Sequence, residues 1–443
     1  MKLKNFSRLI VSMAIVLGSF ATVATAAPSK PIVTPNAAPV QTTVDNAVSF
    51  DAMAPAQPEK GKVVNFTLEA KRAKLEIQPG VVKEVWTFNG QVPAPTLRVN
   101  QGDTVHFTLI NKDPDMEHGL DFHAGQMDMG TYHKPIKPGE SVSYDWKAEY
   151  PGVFYYHCSA GPVIMHIANG MFGAVIVDPP GYKPEGKEYV LIQSEWYKNS
   201  TDLNALMEES PQAVAFNGIP AQYVGNPLTA KPGEKVRFYF VNAGINNFSA
   251  FHVIGTIFDQ IMLDGNPKNT LYGVQTVAVP PGGTVVTDLY ADTGTYAILT
   301  HSMKDATKGG LGILKVGDAV SDGGGHASTE SLPQASTPPS TTGSTPASET
   351  ASSGAVTGDN IVHINTSFAF APKAITVKAG TKITWVNDDT TIHTVVGDTF
   401  DSRNEKIDGL GKGDTFSFTF DKSGTYKYHC SFHPFITGTI TVV

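Results

Sequence analysis

Cys158 lies in the run Tyr156-His157-Cys158-Ser159-Ala160-Gly161-Pro162-Val163-Ile164-Met165-His166, with Met171 close behind. A thiolate, an imidazole and a thioether so spaced form most of the ligand set of a blue copper electron-transfer site. Upstream, His118-Gly119-Leu120-Asp121-Phe122-His123 offers the second imidazole, a further histidine and a carboxylate. In an extended chain alternate side chains face opposite sides, so His118 and His123 point to different environments and Asp121 shares the side of His123. The same alternation separates His157 from Cys158. Two sites follow: His118, Cys158, His166 and Met171 for a soft, redox-active copper, and His123 with His157 for a harder, imidazole-only metal. The His157-Cys158 peptide joins them covalently. A third imidazole from elsewhere would leave the second metal an open position, as catalysis requires.

Short β-rich runs must position these residues: Val63 to Leu68, Val85 to Phe88, Thr104 to Ile110, Ser141 to Trp146, Gly152 to Tyr156 and Gly173 to Val177, punctuated by Gly and Pro. Such a series predicts a β-sandwich. A second series, between Tyr189 and Val316, includes Lys235 to Asn242, Gln275 to Val279, Gly283 to Tyr290 and Gly294 to Thr300. Helical periodicity is confined to Asp202–Glu208. Residues 318–357 are mostly Ser, Thr, Pro, Gly and Ala, the composition of a flexible tether. Beyond them Ser423-Gly424-Thr425-Tyr426-Lys427-Tyr428-His429-Cys430 echoes Pro151-Gly152-Val153-Phe154-Tyr155-Tyr156-His157-Cys158, so the C-terminal segment reads as a diverged repeat. The expected class is all-β, with Greek-key sandwich domains at 61–180 and 181–317, a third tethered at 358–443, and a flexible leader over 27–60.

The 443 residues suit about three domains. Lys2, Lys4 and Arg8 precede an apolar run and Ala24-Thr25-Ala26, the pattern of a signal peptide (residues 1–26) cleaved near Ala26. The run is short for a membrane span, so a soluble, periplasmic protein is expected. Only two cysteines occur, both in ligand contexts, which leaves none for a disulfide. The formal net charge of −8 becomes more negative once the signal peptide's three cations are removed, which argues against nucleic acid or an anionic membrane as partner.

Residues 61 to 317 resemble the copper-containing nitrite reductases of the short-loop class. The resemblance rests on both ligand clusters, on Phe251-His252-Val253-Ile254-Gly255, and on His301 followed by Lys308-Gly309-Gly310-Leu311-Gly312. It implies two cupredoxin domains per subunit, a homotrimer, and nitrite as substrate. It also implies type 1 copper on His118, Cys158, His166 and Met171, and type 2 copper on His123, His157 and His301. By the same resemblance Asp121 and His252 are the acid/base pair, and Ile254 is an apolar lid over the substrate. Each type 2 copper would lie between neighbours, His123 and His157 from one subunit and His301 with His252 from the next. Val277 departs from the pattern, since a hydroxyl bonding toward His252 is expected there; the adjacent Gln275 is retained. Reduction of nitrite to nitric oxide needs one electron, two protons and a Lewis acid, so activity should fall at high pH.

The C-terminal segment resembles a single-domain cupredoxin such as amicyanin or pseudoazurin, which implies copper on His393, Cys430 and His433. Ile436 stands where an axial methionine is expected, which should raise the potential. This domain would then either pass electrons from an external periplasmic donor, a cytochrome c or a cupredoxin, or regulate that donor's access. Two other functions compete: a two-domain multicopper oxidase, and a non-catalytic periplasmic copper carrier. The first is disfavoured because the chain lacks His-x-His and Ser159 follows Cys158; the second leaves Asp121, His123 and His301 unexplained. His429 is read as structural or surface, Asp113 to Gly119 as a turn, and His106, His133, His326 and His363 are assigned no role.

Overall fold

The computed structural model describes residues 28–49, 51–61, 63–78, 80–317, 360–365, 369–389, 393–406, 409–430 and 436–443. The signal peptide, all of the expected tether, His326 and His433 lie outside the described residues. Almost every element is a strand. In the first domain the strand Thr104–Asn111 runs antiparallel to Ser141–Lys147 and parallel to Val63–Gln78, which pairs with Val81–Phe88. Strict alternation along Thr104–Asn111 turns Val105, Phe107 and Leu109 inward, opposite Trp146, Tyr144 and Val142. The facing sheet runs Leu97–Asn100, Phe172–Asp178, Gly152–His157, Asp121–Phe122. Parallel neighbours that are distant in sequence give the Greek-key sandwich expected. Truncating an interior aromatic such as Phe107 would cost about 3–5 kcal/mol.

The second domain repeats this plan with sheets of six and five strands, and the third with two sheets of four. The short helix Leu203–Glu208 forms where expected, because the Asp202 carboxylate accepts from the backbone amides of Asn204 and Ala205. One hydrophobic cluster joins the first two domains, packing Val153, Tyr155 and Phe172 against Val190, Tyr239 and Val286. Beside it Arg98 forms a bidentate pair with Asp178 and reaches Glu188, while Arg237 grips Asp288.

The leader is not free, which corrects the sequence expectation. Ile32–Thr34 adds to the edge strand Ser141–Lys147, Asp45–Asn46 pairs with Val63–Gln78, and Ala52 is fully buried in the second domain's core. Its Ile-Val-Thr triplet covers a sheet edge whose amides would otherwise remain unpaired.

Candidate metal centres

The strand Gly152–His157 delivers His157 and Cys158 to opposite faces. The backbone amide of Cys158 donates to the Met171 carbonyl (3.1 Å), so the chain pairs with itself again after the helix Val163–Ala168. That helix presents His166 in its last turn, with Nδ1 3.3 Å from the Cys158 sulfur; Nδ1 of His118 lies 3.6 Å from the same sulfur. Cys158, His118, His166 and Met171 are all buried. Burial pushes the Cys158 thiol up to about 11, and burial with His118 nearby pushes His166 down to about 4. Without metal the group is thus a neutral thiol and a neutral imidazole. A soft cation would replace the thiol proton and use the imidazole lone pairs.

Behind His118 stands Asp113, fully buried within the segment read as a turn, with Oδ2 3.4 Å from Nε2 of the imidazole. Two backbone amides, Asp115 and Met116, donate to its other oxygen, and the Arg72 guanidinium meets both. Burial opposes the charge, but His118, Arg72 and these amides outweigh it and hold the carboxyl well below the usual range.

On the opposite face His123 and His157 bring their Nε2 atoms within 3.3 Å. Nδ1–H of His157 donates to the Cys158 carbonyl, leaving its Nε2 lone pair free for a metal. Burial lowers the proton affinity of both rings against the pull of Asp121. Asp121 Oδ2 lies 3.9 Å from each Nε2, and the three groups form a compact cluster able to hold a cation. His301 is not in that cluster. It is exposed and packs by its ring on His252, with centroids 5.5 Å apart. The single chain therefore presents two half-sets of imidazoles.

Nδ1–H of His252 donates to the Gln275 carbonyl at 2.6 Å, and the hydroxyl of Thr276 lies 3.4 Å from the same nitrogen. The expected departure at Val277 is thereby corrected. Val277 pairs with Phe251 and turns into the core, and the hydroxyl stands one residue earlier. On a strand a one-residue offset exchanges faces. Ile254 follows on an open surface, 47 % exposed. Sequence reasoning passed over His133, whose Nε2 lies 3.5 Å from Oδ1 of Asp121. No periodicity links the two, because the short helix Met129–Tyr132 intervenes.

In the C-terminal domain His393 Nδ1 lies 3.7 Å from the sulfur of Cys430, and its Nε2 lies 3.2 Å from Asp389. The Cys430 amide donates to the Ile436 carbonyl (3.0 Å), as the Cys158 amide does to Met171. Ile436, buried, thus takes the place of Met171 in the repeat. Asn387 and Asp389 likewise repeat Asn111 and Asp113, each asparagine accepting from the aspartate amide two residues on.

Models of the multicopper oxidase family match residues 69–181 and 187–316, and the copper binding proteins of the plastocyanin/azurin family match 357–443. A copper-containing nitrite reductase of Neisseria meningitidis serogroup B is 37 % identical over 290 residues, 60 % of this chain and 74 % of the relative. Among solved structures, a copper nitrite reductase from Nitrosomonas europaea aligns with a TM-score of 0.57 at 40 % identity, covering 60 % of this chain and 98 % of that one. A Cu-containing nitrite reductase from Thermus scotoductus SA-01 aligns at 0.56 with 29 % identity, covering 86 % of this chain and 99 % of that one. The last alignment reaches past the first two domains, in accord with cupredoxin domains in tandem and a third at the C-terminus.

Proposed function

This chain belongs to the copper-containing nitrite reductases, and on that premise we propose that it reduces nitrite to nitric oxide and water. In this reading His118, Cys158, His166 and Met171 hold a type 1 copper, and His123, His157 and His301 a type 2 copper. The observation that carries it is the division of the imidazoles. His123 and His157 converge on one point, while His301 lies with His252. A homotrimer that sets one subunit's His123 and His157 against the next subunit's His301 and His252 completes the site.

Copper held by these residues would supply the Lewis acid and the one electron. The protein's own groups handle the two protons. Asp121 stands beside both imidazoles and is placed to protonate a nitrite oxygen. His252, its Nδ1–H fixed by Gln275, keeps Nε2 to hold the second proton. Ile254, open in the single chain, would be covered on assembly and exclude water from the pocket.

The C-terminal domain, with His393, Cys430 and His433 as copper ligands, either relays electrons from a periplasmic cytochrome c or cupredoxin or controls that donor's access. In this reading the signal peptide over residues 1–26 directs the chain to the periplasm. Two matching family models are described as multicopper oxidase. Dioxygen reduction would need His-x-His pairs that the chain lacks.

The test is nitric oxide production from nitrite by the copper-loaded protein with an artificial reductant. Activity lost in His123→Ala but kept in a chain ending at Gly317 supports a core reductase with an accessory domain. Full copper occupancy without nitric oxide contradicts it.

A further inference from the structure

We propose that His133 is a positioning residue for Asp121, an inference that rests on the reductase reading above. The two carboxylate oxygens of Asp121 divide their surroundings. Oδ2 faces the His123 and His157 rings, each 3.9 Å away, whereas Oδ1 faces Nε2 of His133 at 3.5 Å. His133 is not itself a ligand, since it stands outside the compact group formed by Asp121, His123 and His157. Its Nε2 is buried, and at 3.5 Å it is in contact with Oδ1 but not yet hydrogen-bonded. Catalytic hydrogen bonds are commonly long before substrate arrives and tighten in the complex. With the imidazole proton on Nε2, a modest rotation of the carboxyl would complete this hydrogen bond and fix Oδ2 on the substrate side.

The position of His133 is built into the fold. Ser159, the residue after Cys158, donates its hydroxyl to the His133 carbonyl at 2.8 Å. Gly119 lets the segments close, because a Cβ there would lie 2.4 Å from the Ser159 oxygen and 3.2 Å from the His133 carbonyl. This anchor uses the backbone of His133, so a side-chain substitution leaves it in place. A freely rotating Asp121 would populate orientations in which neither oxygen meets bound nitrite. A donor against Oδ1 removes that freedom.

The experiment compares His133→Ala, which removes the donor, with His133→Gln, whose amide nitrogen reaches a similar point. Three quantities are read in the full chain: copper content with the thiolate charge-transfer band, nitrite affinity of the oxidised protein by type 2 copper electron paramagnetic resonance, and kcat and KM for nitric oxide formation. The expected result for His133→Ala is unchanged copper, weaker nitrite binding and about a 10- to 100-fold fall in kcat/KM, with most of both losses recovered in His133→Gln. Wild-type behaviour of His133→Ala would overturn the proposal, as would equal damage in the two variants or loss of type 2 copper. If the wild type binds nitrite but never turns over, the reductase reading falls, while the binding comparison still decides the role of His133.

Discussion

The Nε2 atoms of His123 and His157 stand 3.3 Å apart at the end of a strand pairing that sets Asp121 opposite His157. Among the described residues no third imidazole joins these two, and His301 packs against His252 instead. If the site is shared between subunits, His123→Ala and His301→Ala should each be inactive alone. Mixed trimers of the two should regain activity at about a third of interfaces, because a head-to-tail ring holding both variants contains the productive order once. Mixed assemblies are purified with two tags and assayed for nitric oxide. No recovery in verified mixed trimers would mean that each site is built within one chain.

Asp113 and Arg72 should move the potential of the Cys158 copper in opposite directions. A carboxylate against a ligand imidazole makes the ligand more basic and favours the oxidised metal. Asp113→Asn is therefore expected to raise the potential. Arg72→Gln, which removes the guanidinium partner, should lower it. A redox titration followed at the thiolate charge-transfer band gives both signs, and parallel shifts would refute the arrangement.

Thr276 and Val277 make a paired control for the orientation of His252. Thr276→Val removes the hydroxyl beside Nδ1 and should lower kcat severalfold while the Gln275 carbonyl still holds the ring. Val277→Thr, on the core face, should leave nitrite turnover near wild type and instead cost about 1–3 kcal/mol of stability from a buried hydroxyl. Steady-state kinetics with thermal melts separate the two.

The buried pair Arg237–Asp288 gives a pH dependence of stability. Burial works against the Asp288 charge, yet two 2.6 Å contacts with Arg237 and a further one with Lys235 hold its carboxyl below the usual range. A depressed folded value contributes stability that is complete above the unfolded value of about 3.9 and is lost as pH falls through the folded value. Asp288→Ala should thus cost about 3–5 kcal/mol at neutral pH, with the gap from wild type narrowing below about pH 4. Denaturant melts at pH 7 and pH 3 check it, and a gap constant with pH would contradict it.

The two clusters were legible because thiol, imidazole and thioether are rare chemistry at fixed spacing, and strand alternation sorted His118 from His123 and Cys158 from His157. The strands were legible because Val105, Phe107 and Leu109 alternate cleanly. What escaped depended on tertiary approach. His133 meets Asp121 across a turn, and Asp113 is buried because Arg72 arrives from a distant strand. Thr276 and Val277 differ by one residue of register that no pattern in the sequence fixes. The leader escaped for the same reason: a Pro- and Ala-rich stretch looks unstructured until an edge strand is there to pair with Ile32–Thr34.

The most direct test reduces the protein without oxygen, removes excess reductant, and adds nitrite while the thiolate charge-transfer band and dissolved nitric oxide are recorded together. In the wild type the band should return as nitric oxide appears, and in His123→Ala the Cys158 copper should stay reduced with no gas formed. Return of the band without nitric oxide, or equal return in His123→Ala, would contradict nitrite reduction at the imidazole site.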